Sequence, residues 1–466
     1  MSRLTRRQFL KIGAAGTLGL GGLTWNRCAH RRAESRIERP IELIEHVVVI
    51  YQENWSFDSL FGRFPGANGI ANAGETIKQV DMDGTPYSVL PPAMDNRKSP
   101  ALADPRIPAN IPVAPFDLGR YVAPDQFSGN PLHRYYQHIA QINGGKMDKF
   151  VAIGNVGALA MSYYDVTNLP LGRFAQQYVL CDNFFQAGLG GSTLNHIWLV
   201  AAATAVWPDA PQVVRAELDG DRLVKDGDVS PDGYLVNNAF TVNTPHPPTI
   251  IDRKRLIPNQ ALPTIGDRLS ERDISWAWYA GGWNDALAGR PHPLFQFHHQ
   301  PFAYFAKYAD GSRAKREHLK DEEDFWRDLA RGQLPAVVFL KPIGQLNEHP
   351  GYANLLSGQQ HVERVVRAIM ASSVWPSTAI IVTYDEYGGR WDHVAPPVID
   401  RWGPGTRVPA VVISPYAKRR FVDHTLYDMT SILKFVETRW KLEPLSMRDA
   451  QANDMTAAFD FAQPPA

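Results

Sequence analysis

Short apolar runs punctuate the chain, and most end in polar or glycine-rich sequence. They lie at 44–51, 178–185, 274–279, 334–341, 379–382 and 408–414. Their β-branched and aromatic residues come without strict polar alternation, which predicts strands buried on both faces. Two stretches have helical spacing instead. Leu132, Tyr136 and Ile139 share one face of 131–143, and Val362, Val365, Val366, Ile369 and Met370 share one face of 362–371. Strand, helix and strand over 334–382 form a βαβ unit. The fold class expected is therefore α/β, with a mostly parallel central sheet flanked by helices. Residues 65–130 are rich in Pro, Gly and Asn and read as surface connections. Asp-Gly pairs at Asp219, Asp226 and Asp232 mark turns in a small β-rich insertion around 209–270.

Chemistry collects where the strands end. Glu53 and Asn54 follow the first run, and Asp385 and Glu386 close the fifth just before Gly388-Gly389. Adjacent carboxylates at the end of a buried strand are costly unless paired, hydrogen-bonded or bound to a cation. In open α/β sheets, ligands gather at that end. Each group also has a plainer reading: Asp385 caps a turn, Glu386 is solvated, and Asn54 or Ser56 caps a helix. The glycine-rich stretch 188–191 leads into Ser192 and Thr193 at a helix start, where free N–H groups favour phosphate and where a serine also serves as an ordinary cap. His133 falls in the first turn of helix 131–143. His349 lies in the loop of the βαβ unit, at the same sheet end as Asp385. His298-His299 suits a metal site or a phosphate clamp, and His393 follows Asp392 just beyond the second glycine turn.

These segments resemble the bacterial phosphoesterase family of acid phosphatases and secreted phospholipases C. The resemblance is carried by Glu53-Asn54-Trp55-Ser56-Phe57-Asp58, by the stretch 378–397 with Asp385, Glu386, Gly388, Gly389, Asp392 and His393, and by 61–70 and the tail 422–461. It implies an alkaline-phosphatase-like fold, with one divalent metal ion held by Glu53, Asn54, Asp385 and Glu386. It also implies a nucleophile at Ser192, three residues before Asn195, and phosphate contacts from His133, Asn195, His298, His299 and His393. His349 would protonate the leaving alcohol. The related acid phosphatases carry Asp where this chain has Glu386.

Other motifs drop out. The stretch 144–148 lacks the spacing of a P-loop, and 188–196 is neither a lipase elbow nor a dinucleotide fingerprint. An EF-hand in the insertion lacks its twelfth acid. Cys181 does not have the setting of a sulfatase nucleophile. Two cysteines, Cys28 and Cys181, give no expectation of an internal disulfide.

The 466 residues include 48 Lys+Arg and 48 Asp+Glu, but seven basic residues and no acid fall in the first 32. The remainder has 41 basic against 48 acidic side chains, which disfavours nucleic-acid binding. Arg6-Arg7 followed by Phe9-Leu10-Lys11 and a short apolar run reads as a twin-arginine export signal over 1–32. The expectation is a periplasmic or secreted protein handled by the twin-arginine machinery, with one catalytic domain over 40–466. Its expected activity is metal-dependent hydrolysis of small phosphate monoesters through a phosphoserine. Paired histidines, and a chain that stops where the larger phospholipases C continue into β domains, favour that activity over cleavage of phospholipid head groups. The non-enzymatic alternative is a phosphate-binding surface protein.

Overall fold

Eight strands hydrogen-bond into one sheet in a computed structural model that describes residues 40–463. The export-signal expectation lies outside the described residues. In chain order the strands are β1 (His46–Gln52), β2 (Val179–Cys181), β3 (Trp276–Ala280), β4 (Leu319–Asp321), β5 (Val337–Lys341), β6 (Thr378–Tyr384), β7 (Ala410–Ile413) and β8 (Phe421–Asp423). Across the sheet they run β4-β3-β5-β1-β6-β7-β2-β8. All neighbours pair in parallel except at β7, which is antiparallel to both β6 and β2. The sheet is therefore mixed. β7 follows β6 through a long loop without a crossover helix, and an antiparallel return needs none.

The apolar runs are buried as their composition requires. Val47 to Ile50 of β1 and Ala379 to Val382 of β6 have no exposed surface. Residues alternate between faces, so helices cover both sides. On the Tyr51 side, the hydroxyl of Tyr51 donates to Met429 Sδ and its ring meets His196. Those contacts come from the helices Met429–Trp440 and Ser192–Ala201. On the opposite side, Gln52 Nε2 donates to the carbonyl of Gly358, in the helix Leu355–Met370. The predicted helix at 131–143 is shorter, Tyr135–Ile142, and its cap is Arg134. His133 therefore precedes the helix instead of lying in its first turn, because Leu132 and His133 stay extended to reach the sheet end.

The stretch 65–130 is mostly irregular, but it buries Leu90, Leu118 and Val122 in the core. The insertion contains the hairpin Glu217–Asp219 and Arg222–Lys225. It is tied back to the body by Arg134, which pairs with Asp226 at 2.5 Å and Asp228 at 3.1 Å. No helix among the described residues is long and apolar enough to cross a membrane, and Cys181 is a buried free thiol.

One buried cation ties the strand ends together. Arg407, just before β7, donates to Asp392 at 2.9 Å, to Asp58 at 3.2 Å and to the carbonyls of Asn68 and Asp182 at 2.8 and 2.7 Å. Those partners follow β6, β1 and β2, so a single guanidinium fixes where three strands deliver their loops. Breaking a buried pair strands the carboxylates it neutralised. Arg407→Leu should lower unfolding free energy by about 3–5 kcal/mol, measured by denaturant titration; a loss within experimental error would mean the two aspartates are neutral here.

Candidate active site

The register of the central strands creates the site. Gln52 of β1 pairs directly with Tyr384 of β6, so Glu53-Asn54 and Asp385-Glu386 leave the sheet side by side. Asn54 takes a left-handed backbone, φ 68°, which asparagine tolerates better than most side chains. Its N–H donates to Asp385 Oδ1 at 3.2 Å, and its Nδ2 donates to Glu386 Oε1 at 2.9 Å and to His133 Nε2 at 3.1 Å. Gly388, φ 64°, makes the return turn; a Cβ there would lie 2.1 Å from the Asn54 carbonyl oxygen. Glu386 also accepts from the Gly388 N–H at 2.9 Å. Its extra methylene relative to aspartate thus spans two loops and occupies both of its oxygens.

Glu53 is fully enclosed. It pairs with Lys341 Nζ at 2.8 Å and with His299 Nε2, and it accepts from the Tyr352 hydroxyl at 3.1 Å. Burial alone would raise its carboxyl, but His299 and Lys341 outweigh burial and hold it well below the usual range. Asp385 goes the other way: burial and then the Glu53 charge push it up to about 7. Glu386 is raised too, by burial and then by Asp385. Two carboxyls that resist ionisation beside a third that is ionised make a site short of positive charge.

Ser192 is the first residue of helix Ser192–Ala201, with Gly191 as its cap. The approach is tight: Gly190 has φ 126°, and a Cβ there would come 2.3 Å from the Val236 carbonyl oxygen. Asn195 braces this loop. Its Oδ1 accepts from Gly188 N–H at 2.9 Å, and its Nδ2 faces the carbonyls of Gly188, Gly190 and Gly191 at 3.2–3.3 Å. The expected substrate contact is thus replaced by a structural one, because every polar atom of Asn195 is already engaged by backbone. The Ser192 side chain lies beside Asp385 and lowers its carboxyl against burial.

The histidines converge on the same space, where burial disfavours their charged forms. His196 Nδ1 donates to the Ser192 carbonyl at 2.7 Å, leaving Nε2 with a lone pair. His349 Nδ1 donates to the Pro350 carbonyl and His133 Nδ1 to the Pro131 carbonyl, each at 2.6 Å. Burial is the leading cause that lowers His196, His298 and His349, and it takes His133 to about 3 and His299 to about 4. Ring centroids of His133 and His349 are 5.6 Å apart, those of His196 and His299 5.2 Å, and those of His298 and His299 4.5 Å. His349 is stacked on Tyr352 at 4.3 Å.

His393 is elsewhere. Its Nδ1 lies 2.6 Å from Asp58, its Nε2 3.2 Å from Asn68, and Arg407 flanks it. The proposed phosphate contact is corrected to membership of the Arg407 clamp, since the glycine turn carries 392–393 back over helix Phe57–Phe61.

A metal ion fits the remaining donors. Asn54 Oδ1, Asp385 Oδ2 and His196 Nε2 are buried without a hydrogen-bond partner, a costly state that a cation relieves. Glu53, His196 and His299 bring ligand atoms within 4.8 Å of one another. Carboxylate, amide and imidazole donors suit a divalent ion. His196, Lys341, Tyr352 and Glu348 were not singled out from the sequence. The readable signal for Lys341 was a lone lysine closing an apolar strand, since lysine is almost never fully buried unless paired. Glu348 has φ 73° and lies buried beside His349, accepting from Tyr384 at 2.6 Å and Gln52 at 3.2 Å. Burial pushes its carboxyl up to about 8.

The phosphoesterase family matches residues 44–443. Phospholipase C B of Mycobacterium tuberculosis is 26% identical over 514 residues, covering 99% of this chain and 87% of that protein. The non-hemolytic phospholipase C of Burkholderia pseudomallei is 25% identical and covers 100% of this chain and 66% of its own length. Among solved structures, an alkaline phosphatase superfamily protein from Vibrio parahaemolyticus is similar with a TM-score of 0.36 and 11% identity, over 70% of this chain and 67% of that one.

Asp385→Asn keeps the side-chain volume and removes one ligand charge. Metal content, read by plasma mass spectrometry, and turnover should fall together, by roughly 10–100-fold in metal affinity. Full metal loading in this variant would exclude Asp385 as a ligand.

Proposed function

The chain belongs to the phosphoesterase family and is a hydrolase of phosphoester bonds, and from that premise we propose that it is an exported phosphomonoesterase working through a phosphoserine at Ser192. The observation that supports this reading is the position of Ser192: at a helix start, on a braced glycine loop, against Asp385 and the unpaired donors. Glu53, Asn54, Asp385 and Glu386, with His196 and His299 at hand, would hold one divalent ion, which when bound stabilises negative charge on the serine and phosphoryl oxygens.

The protein's own groups supply the rest. The Ser192 hydroxyl gives up its proton to solvent, and its oxygen attacks phosphorus in line, forming the Ser192–phosphorus bond as the ester oxygen departs with its electron pair. The start of the helix, whose Thr193 N–H is held by Asn238, favours the developing charge through the helix dipole. His298 would face the phosphoryl oxygens, with His133 and His299 beside it held by Asn54, Pro131 and Glu53. His349 protonates the departing alkoxide through Nε2, because Nδ1 is fixed on the Pro350 carbonyl. Burial keeps His349 below the ordinary imidazole range, so acidic pH loads that proton. Water then hydrolyses the phosphoserine. The twin-arginine pattern at Arg6-Arg7 supports export to the periplasm or beyond. A second reading, phospholipase C, is favoured by the names of the relatives.

Ser192→Ala should lose at least about 1000-fold in turnover while its circular dichroism and metal content stay those of the wild type; retention of activity would remove Ser192 from the nucleophile role. The substrate class is tested on one metal-loaded preparation from acidic to neutral pH. p-Nitrophenyl phosphate should show a higher kcat/KM than p-nitrophenyl phosphorylcholine, and the reverse order would establish the phospholipase C reading.

A further inference from the structure

Lys341 closes β5 with no exposed surface. Its Nζ lies 2.8 Å from Glu53 Oε1, 3.4 Å from the Gln52 carbonyl and 5.0 Å above the Tyr51 ring. Glu53 in turn pairs with His299 and accepts from Tyr352, so the ammonium is one contact away from the histidine cluster. Arg407, the other buried cation described above, is committed to Asp58 and Asp392.

We propose that Lys341 is the specificity-determining charge of the site, favouring a dianionic phosphate monoester over a monoanionic diester. The inference rests on the reading of the cluster as a phosphoryl-transfer site. As ligands of one bound divalent ion, Glu53, Asp385 and Glu386 would all be ionised, and the ion would leave them one negative charge in excess. Lys341 cancels that excess. A residual negative charge would repel a doubly charged phosphoryl group about twice as strongly as a singly charged one, and burial keeps the interaction from being screened. Specificity is a difference of this kind between two substrates.

The test compares p-nitrophenyl phosphate with p-nitrophenyl phosphorylcholine, which share a leaving group, on metal-loaded wild type, Lys341→Met and Lys341→Arg. The monoester-to-diester ratio of kcat/KM should fall by about tenfold or more in Lys341→Met and stay within about threefold of wild type in Lys341→Arg. Calorimetry supplies a readout independent of turnover: affinity for inorganic phosphate at neutral pH should drop in Lys341→Met by more than affinity for dimethyl phosphate. If Lys341→Met does not fold, Lys341→Gln gives the same comparison with a neutral polar replacement. An unchanged ratio, or a parallel loss on both substrates together with lost metal, overturns the proposal and leaves Lys341 as a partner of Glu53 only. A wild-type preference for the phosphorylcholine ester sinks the monoesterase reading by itself. The Lys341 test is the change in the ratio, from whichever value it starts.

Discussion

The pairing of β1 with β6 is the constraint on which the rest of the molecule depends. Gln52 opposite Tyr384 forces three carboxyl groups and an asparagine out of the sheet at one point, away from water. Left alone, such a cluster would oppose folding. Lys341, His299 and Tyr352 answer Glu53, the backbone of Asn54 and Gly388 answers Asp385 and Glu386, and Arg407 answers the aspartates one turn further on. The donors left over, on Asn54, Asp385 and His196, are buried without hydrogen-bond partners.

Much of this was legible in the sequence, and for physical reasons. Buried parallel strands must be apolar throughout, so β1, β5 and β6 announced themselves, and polar groups directly after them had to sit at the sheet end. The edge strands Leu319–Asp321 and Phe421–Asp423 are three residues each and too short for any period to show. The direction of β7 depends on what its loop does in space, which composition does not record. His393 was misplaced because adjacency to Asp392 suggested a shared task, whereas the glycine turn carries both toward Arg407. Asn195 was misread because its spacing from Ser192 fits a ligand and a loop brace equally well. Lys341 and His196 escaped because a charge at the end of a strand and a histidine inside a helix usually have ordinary explanations.

The loop that carries Ser192 is braced from two sides. Asn195 holds the backbone before Ser192, and Asn238 of the insertion accepts from both the N–H and the hydroxyl of Thr193 at 2.9 and 3.0 Å. The preceding residue of the insertion, Asn237, accepts from the Tyr135 N–H at 2.9 Å and so orients the start of the helix that follows His133. The insertion is thereby part of the active-site wall, and its exposed hairpin is free to vary without disturbing the sheet.

Tyr352 joins two functions that chemistry alone would keep apart. Its hydroxyl donates to Glu53, a metal ligand on the proposed reading, and its ring stacks on His349, the proposed leaving-group acid. One aromatic side chain therefore fixes Glu53 and His349 relative to each other. A change at Tyr352 would therefore shift Glu53 and His349 together, so neither position can be tuned through this ring without the other.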